Sequence, residues 1–254
     1  MRRSTGVLIE VMKRKEMKLY PRCIKRILDI VFSLTALVLL CWLYAVLAVM
    51  VCKKLGRPIL FTQLRPGKNE RLFRLYKFRS MTNERDTGKN LLPDEQRLTG
   101  FGKWLRSTSL DELPQLWNVL RGDMSLIGPR PQLVRDMVFM TPIQRQRHTV
   151  RPGITGLAQV SGRNALEWEL KLEKDVEYVH KVSFRMDVSI FMKTISQVVF
   201  HKKGLSDSGF DEIDLTDDYG VYLLKHNIIS QSCYDKGILY AGKILEEFTA
   251  EKRL

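Results

Sequence analysis

Cysteine is scarce in this chain and shows no pairing. There are four in 254 residues (Cys23, Cys41, Cys52, Cys233), with no Cys-x-x-Cys. So few thiols in so long a chain exclude a disulfide-built scaffold and point to a reducing compartment. The four histidines are scattered, and none has metal-ligand spacing with a cysteine. Internal repeats and low-complexity tracts are also absent, which excludes solenoids and linker-dominated chains. Hydrophobic residues make up 44% and charged residues 28%, so a real core can form and disorder is excluded. At roughly 150 residues per domain, the length allows one large domain or two small ones.

Negative charge is the other shortage. Lys and Arg total 42 against 28 acidic residues, a net charge of +14. Such an excess calls for an anionic partner: nucleic acid, acidic lipid headgroups or a phosphorylated substrate. The charge is unevenly placed. Residues 1–26 hold nine basic and two acidic side chains (+7), and residues 205–254 hold five and ten (−5), leaving +12 for the body between them.

From Ile30 to Cys52 there are 23 consecutive residues with no charge, no Gly and no Pro. As a helix this run is about 35 Å long, enough for a hydrocarbon core of roughly 30 Å. It is too long and begins too far in for a signal peptide. A soluble core helix rarely stays apolar on every face for six turns, so the run reads as a membrane segment. Lys25 and Arg26 precede it, and Lys53, Lys54 and Arg57 follow. The positive-inside rule keeps both flanks cytosolic, which favours a re-entrant helix over a spanning one. A bend frees backbone groups and is expected near a Ser, Gly or Pro, but the middle reads Leu39-Leu40-Cys41-Trp42-Leu43. Charge argues for re-entry and the local sequence does not.

Beyond the membrane segment, Arg57–Thr62 and Leu72–Phe78 read as short extended pieces around a turn at Arg65-Pro66-Gly67-Lys68. Residues 83–100 are polar and read as a loop. Leu113, Leu116, Trp117 and Leu120 have helical spacing, and Gly122 would end that helix. Loops rich in Gly and Pro follow at 128–131 and 151–156, then helices over about 165–181 and 185–200. In the second, Val188, Phe191, Met192, Ile195, Val198 and Val199 form one apolar stripe. It suits either core packing or a helix lying in the membrane interface.

The chemistry is concentrated between Arg106 and Pro131. Asp111 and Glu112 are adjacent carboxylates at a helix start, with Pro114 tolerated only in the first turn. A carboxylate there is stabilised by the helix N-terminus and stays ionised at neutral pH. It can attack phosphorus or bind a metal. The same stretch also fits a plainer pattern. Ser109-x-x-Glu112 is a capping box, in which Glu112 only starts a helix.

Four motifs occur in order: Tyr76-Lys77-Phe78-Arg79-Ser80-Met81, Asp111-Glu112-Leu113-Pro114-Gln115-Leu116, Gly128-Pro129-Arg130-Pro131, and Arg151-Pro152-Gly153-Ile154-Thr155-Gly156. With Lys25-Arg26-x-x-Asp29 and the apolar run before them, they closely resemble the bacterial sugar transferase family, the monotopic phosphoglycosyl transferases. The resemblance covers about residues 22–203. It implies an enzyme that moves a phosphosugar from a nucleoside-diphosphate sugar, expected to be a UDP-sugar, to undecaprenyl or another polyprenyl phosphate. This would be the first membrane step of bacterial glycan assembly. Asp111 would be the nucleophile of a covalent phosphosugar intermediate, Glu112 its dyad partner, and UMP the product released, with Mg²⁺ required and Asp111 as its expected protein ligand. Lys77, Arg79, Arg106 and Arg130 would hold phosphate oxygens. Gly153, Thr155, Gly156 and Gln159 would line the nucleotide side. Asp175, Tyr178 and Asp187 also match family positions, as support or as substrate contacts. The location implied is the bacterial cytoplasmic membrane, with the catalytic domain on the cytosolic face.

Physical chemistry agrees with that reading. Phosphoryl transfer needs a nucleophile, in-line positioning and neutralised phosphate oxygens, and the planar fork of Arg suits the last. Family members commonly break the membrane helix with Ser-Pro, where this chain has Cys41-Trp42. The expected architecture is α+β and helix-rich. A basic N-terminal segment (1–26) leads to a re-entrant or spanning membrane helix (27–54). A cytosolic catalytic domain (55–204) with a small β element and amphipathic interfacial helices follows, then an acidic extension (205–254). The extension, with a helix over Tyr234–Arg253, reads either as an appendage packed on the body or as a dimerisation or partner-docking element. A rival reading is a non-catalytic, membrane-tethered basic binding or scaffold protein. No nucleic-acid motif occurs, so nucleic acid is not an expected partner.

Overall fold

The structure, a computed structural model, describes residues 20–162, 167–200 and 218–251. The basic N-terminus up to residue 19 and the acidic turn-like stretch up to Asp217 lie outside the described residues. A turn at Tyr20–Ile24 leads into helix α1 (Lys25–Leu39), and α2 (Cys41–Leu55) follows across Leu40. The two are bent by 64°; no single helix among the described residues is long and apolar enough to cross a membrane, though this bent pair has the length and composition. The bend sits in the middle of the uncharged run without Ser, Gly or Pro. It needs none, because Leu40 N–H still donates to Ala36 O (2.9 Å) and Leu40 O still accepts from Tyr44 N–H (3.0 Å). Two complete helices meet there with little backbone left unpaired.

Strands β1 (Leu60–Pro66) and β2 (Leu72–Phe78) form an antiparallel hairpin in register from Leu60↔Phe78 to Pro66↔Leu72. The first strand starts three residues later than the spacing predicts and continues through Pro66, because Phe73, Leu75 and Phe78 of its partner face the core and hold it in register. The stretch 83–100, expected as a loop, closes in an Arg85↔Leu91 bridge and carries helix α3 (Asp94–Arg97). Helix α4 (Gly100–Ser107) is capped by Thr99, whose hydroxyl accepts from Gly102 N–H. A 3-10 turn at Leu110–Glu112 precedes α5 (Gln115–Arg121), which ends at Gly122 with φ +89°, as its spacing predicts.

Of the two Gly/Pro-rich loops, 128–131 remains a loop directly after a short strand, and 151–156 contains one. Strand β3 (Ser125–Ile127) and, after helices α6 (Val134–Met137) and α7 (Pro142–Arg145), strand β4 (Gly153–Thr155) pair in parallel, Ser125 with Gly153 and Ile127 with Thr155. Helices α8 (Leu157–Gly162), α9 (Trp168–Lys181) and α10 (Phe184–Phe200) complete the body, and α11 (Tyr219–Lys225) and α12 (Gln231–Glu251) form the tail. The fold is thus helix-rich with two small sheets.

The helices beside the body are inside out by the standards of a soluble protein. In α1 the buried residues are Asp29 and Ser33, while Ile30, Val31, Phe32, Leu34, Val38 and Leu39 are exposed. In α10, Asp187 and Ile190 are buried, and Val188, Phe191, Met192, Ile195 and Val198 face outward. Core packing of that stripe is therefore overturned: the body takes the other face of α10, through buried Ile190 and through Thr194 to Thr155 (2.8 Å) and Gln197 to Val160 O (3.2 Å).

Among the described residues, Arg147 and Asp175 form the most deeply buried ion pair (2.6 Å, side chains 1% and 3% exposed). Replacing one partner strands the other charge in the core. Arg147→Met should lower stability by about 3–5 kcal/mol, and adding Asp175→Leu should recover much of the loss. Thermal unfolding in detergent measures both. An equal loss in the single and double variants would contradict the account.

Candidate active site

Asp111 and Glu112 stand on the 3-10 turn between α4 and α5. Ser109, just before it, adopts φ +55°, the left-handed region that non-glycine residues rarely visit. Its side chain makes no capping hydrogen bond, so the capping-box alternative is not met. Glu112 instead points at cations. Its Oε1 accepts from Lys77 Nζ on β2 (2.8 Å) and from Arg130 Nη2 beyond β3 (2.7 Å), and its Oε2 lies 3.5 Å from Arg130 Nη1. Asp111 is buried, and Lys77 Nζ is 3.9 Å from its Oδ2. No hydrogen bond to its carboxylate occurs among the described residues.

The two carboxylates are driven apart electrostatically. Burial pushes Asp111 up to about 6, aided by the neighbouring charge of Glu112 and opposed by Lys77, Arg130 and Arg106. Burial would raise Glu112 too, but Arg130 and Lys77 override it and hold this group well below the usual carboxylate range. Opposite shifts within one pair mark two different jobs. Glu112 is a fixed anion that organises cations, and Asp111 is a poorly solvated carboxylate facing them.

Each cation is placed by a separate device. Lys77 is fixed by Asn118, a fully buried residue of α5 that sequence reasoning missed. Its Oδ1 accepts from Tyr76 N–H (3.1 Å) and its Nδ2 donates to Arg74 O (2.7 Å), so one amide docks α5 along β2 as a neighbouring strand would. Arg106 donates through Nε to Ser80 Oγ (2.9 Å). Arg130 rides an arch gripped at four backbone points. Gly128 N–H donates to Thr155 O (2.9 Å), and Pro129 O accepts from Gly153 N–H (2.9 Å). Arg130 O accepts from Arg147 (2.6 Å) and Pro131 O from Arg65 (3.2 Å). Nothing in their local sequence marked Arg65 or Arg147, because both act on backbone carbonyls far away in the chain.

Among the residues singled out from the sequence, the structure brings Asp111, Glu112, Lys77 and Arg130 into contact and places Arg106 close enough to act on Asp111. It takes Arg79 elsewhere: that buried guanidinium donates to Arg57 O (2.8 Å) and to Leu55 O, closing the C-terminal end of α2. Gly153 and Gly156 press against Gly128, where an added Cβ would lie 2.1 Å and 2.2 Å from backbone atoms, so in this structure they permit the arch. Thr155 bonds Thr194, and Gln159 donates to Ile154 O (3.1 Å). Asp175, Tyr178 and Asp187 are framework. Asp175 holds Arg147; Tyr178 donates to Asp187 (2.8 Å) and Ile127 O (3.2 Å); Asp187 also receives Tyr20 and Lys25 (2.6 Å each).

No group of three or more His, Cys, Asp or Glu side chains able to hold a metal occurs among the described residues. Mg²⁺ commonly binds through one or two carboxylates plus substrate phosphates, and Asp111, with no hydrogen-bond donor on its oxygens, fits that sparser mode.

The turn also rests on the bent helix pair. Leu110 and Leu113 pack with Leu43, Tyr44, Leu47 and Val51 of α2, and Tyr44 Oη donates to Leu113 O (2.5 Å).

Comparison with known proteins bears on this geometry. An uncharacterized sugar transferase, EpsL, of Bacillus subtilis (strain 168) is 50% identical over 177 residues, covering 68% of this chain and 88% of that protein. A UDP-N-acetylgalactosamine-undecaprenyl-phosphate N-acetylgalactosaminephosphotransferase of Aeromonas hydrophila is 41% identical over 184 residues, 69% of this chain and 44% of that one. An undecaprenyl-phosphate galactose phosphotransferase of Salmonella typhimurium is 36% identical over 200 residues, 72% and 42%. The chain thus spans less than half the length of the latter two. The family described as bacterial sugar transferase matches residues 20–201, from the entry to α1 through the end of α10, and the chain belongs to that family.

Proposed function

We propose that the protein is a sugar-1-phosphate transferase that takes a phosphosugar from a nucleoside-diphosphate sugar, a UDP-sugar by family expectation, to undecaprenyl phosphate. Asp111 Oδ attacks the phosphorus that bears the sugar. The P–O bond to the bridging oxygen breaks, and the nucleoside monophosphate leaves with that oxygen and its electron pair. A phosphate oxygen of the lipid then attacks the same phosphorus, and the aspartyl P–O bond breaks. The lipid diphosphate sugar is released and the carboxylate is restored. Because donor and acceptor never bind together, one small site serves a polar and a lipidic substrate, and ping-pong kinetics follow.

The observation that carries this proposal is the split environment of the carboxylate pair. Glu112 keeps Lys77 and Arg130 in place, and those cations can transfer part of their hydrogen bonding to phosphate oxygens. Arg106 flanks the same space. Asp111, held up at about 6, is still about nine-tenths ionised at pH 7. Mg²⁺ held by Asp111 and the diphosphate would neutralise phosphate charge.

Re-entry of the bent pair belongs to the same proposal. The start of α1 is tied to α5 by Arg26, which donates to Val119 O (2.5 Å) and Leu120 O (2.8 Å), and to β3 by Asp29, which accepts from Leu126 N–H (3.0 Å) and Ser125 Oγ (3.1 Å). The end of α2 packs on Phe78 and Leu105 of the same body. Two ends fixed to one body belong on one side of a bilayer. Each arm of 15 residues measures about 22 Å, short of a full crossing. The outward apolar face of α10 would lie in the headgroup boundary, and the Asp111 turn, seated on α2, would meet the lipid phosphate there.

A panel of nucleotide sugars with detergent-solubilised protein and undecaprenyl phosphate tests the activity by monophosphate release. Asp111→Asn should reduce turnover at least a thousandfold, a loss of about 4 kcal/mol in transition-state stabilisation, and should abolish a phosphosugar adduct on the peptide containing residue 111. Full turnover in this variant would refute the nucleophile. Because ionised Asp111 is the reactive form, kcat/KM should fall about tenfold per pH unit below about 6 and level off above it. A profile flat down to pH 5 would contradict that assignment. For the membrane placement, a fluorophore attached to Met192→Cys in a cysteine-free background should be quenched by spin-labelled lipid more strongly than by aqueous iodide. Stronger iodide quenching would place α10 in water.

A further inference from the structure

The family match ends at residue 201, yet the tail beyond it is not loosely attached. Helices α11 and α12 close around Phe139, the residue two beyond α6. An added Cβ on Gly220 would lie 2.4 Å from Phe139 Cε2, and one on Gly237 would lie 2.4 Å from Cε1 and Cζ. The ring is therefore enclosed between the backbones of two helices. Tyr234 stacks on it with planes 4° apart and centroids 5.8 Å apart. It has nowhere to move if either glycine gains a side chain.

The same tail grips the segment just after Arg130. Asp136 is buried, its Oδ2 accepting from Leu133 N–H (2.9 Å) and its Oδ1 from Tyr219 N–H at the start of α11 (3.0 Å). One carboxylate thus ties the third residue after Arg130 to the tail. Arg135 pairs with Asp218 (2.8 Å), and Ala241 of α12 packs with Val134 and Met137. Tyr219 and Leu223 pack with Met140, Trp168 and Leu172, the last two on α9, whose Asp175 holds the Arg147 that grips Arg130 O. Several of the tail's contacts with the body thus converge on the segment that carries Arg130.

We infer that the C-terminal helix pair is a positioning element of the active site, a clamp that fixes the Arg130 arch through the Phe139 socket and the Asp136 tie. This rests on the proposed role of Arg130 at the diphosphate. A loosened arch lets Arg130 wander from Glu112, and misplacement of about 1 Å at such a site costs on the order of a hundredfold in rate.

Gly237→Leu drives a side chain into the socket, with Gly237→Ala as the milder version. Gly242→Leu on the same helix is the control, since nothing lies within 4 Å of its added Cβ and its gain in helix propensity is similar. Monophosphate release should fall about ten- to a hundredfold in Gly237→Leu and stay near the parent level in Gly242→Leu. Hydrogen exchange should quicken at residues 128–141. Phe139→Ala, which empties the socket, should restore part of the activity of Gly237→Leu. In an Arg130→Ala background, Gly237→Leu should add little further loss, because both act through one group. Additive losses, or faster exchange confined to residues 218–251, would overturn the clamp. If the parent protein releases no monophosphate with any donor, the functional proposal fails, and exchange at 128–133 alone decides whether the tail fixes the arch.

Discussion

Glu112 lies between Lys77 and Arg130, and this three-way ion pair joins three separate parts of the chain. Lys77 comes from the hairpin, Glu112 from the turn before α5, and Arg130 from the arch beyond β3. Burying such a group is costly unless every charge has a partner. With Arg106 beside them, three cations face the two carboxylates, which leaves a surplus of one positive charge next to Asp111. A phosphate group can relieve that imbalance. On the proposed function, an anionic substrate would complete the free site, which is what preorganisation requires of phosphoryl transfer.

The inverted helices supply the second constraint. A helix that buries Asp29 and Ser33 while exposing six apolar residues would be unstable in water, and so would one that turns Val188, Phe191 and Met192 outward. In a bilayer the same arrangement would be favourable, because Asp29 finds partners in the body and the apolar residues would meet lipid. The turn carrying Asp111 packs on α2, so on the proposed membrane placement the depth of that helix would also set the depth of Asp111.

Much of this was legible in the sequence, where the information is local. The uncharged run, β2, the end of α5 at Gly122 and the Asp111-Glu112 pair are all carried by neighbouring residues, and the ordered motifs pointed to the family. What was not legible depends on partners distant in the chain. Pairing of β3 with β4 joins residues 125–127 to 153–155, and nothing in either stretch specifies the other. Arg79 and Arg106 are equally basic in sequence, yet one closes the end of α2 and the other flanks Asp111. The bend at Leu40 carries no usual marker because its flanking backbone hydrogen bonds survive. The stripe of α10 was ambiguous because periodicity shows that a helix has two faces and does not show which one meets the body.

The cations at the start of α1 illustrate how one residue can answer two demands. Lys25 and Arg26 read as a topology signal, since positive charge beside an apolar segment stays cytosolic. In the fold, Lys25 is paired with Asp187, and Arg26 forks onto the last carbonyls of α5. A topology signal alone would be satisfied by any cation nearby. The fork is not, because a lysine presents a point charge and lacks the planar pair of donors that Arg26 sets against two successive carbonyls. The same contact that holds the start of α1 also closes the helix following Asp111 and Glu112. On the proposed function, anchoring and catalysis would thus be joined through α5, the helix that Arg26 grips and that follows the carboxylate pair.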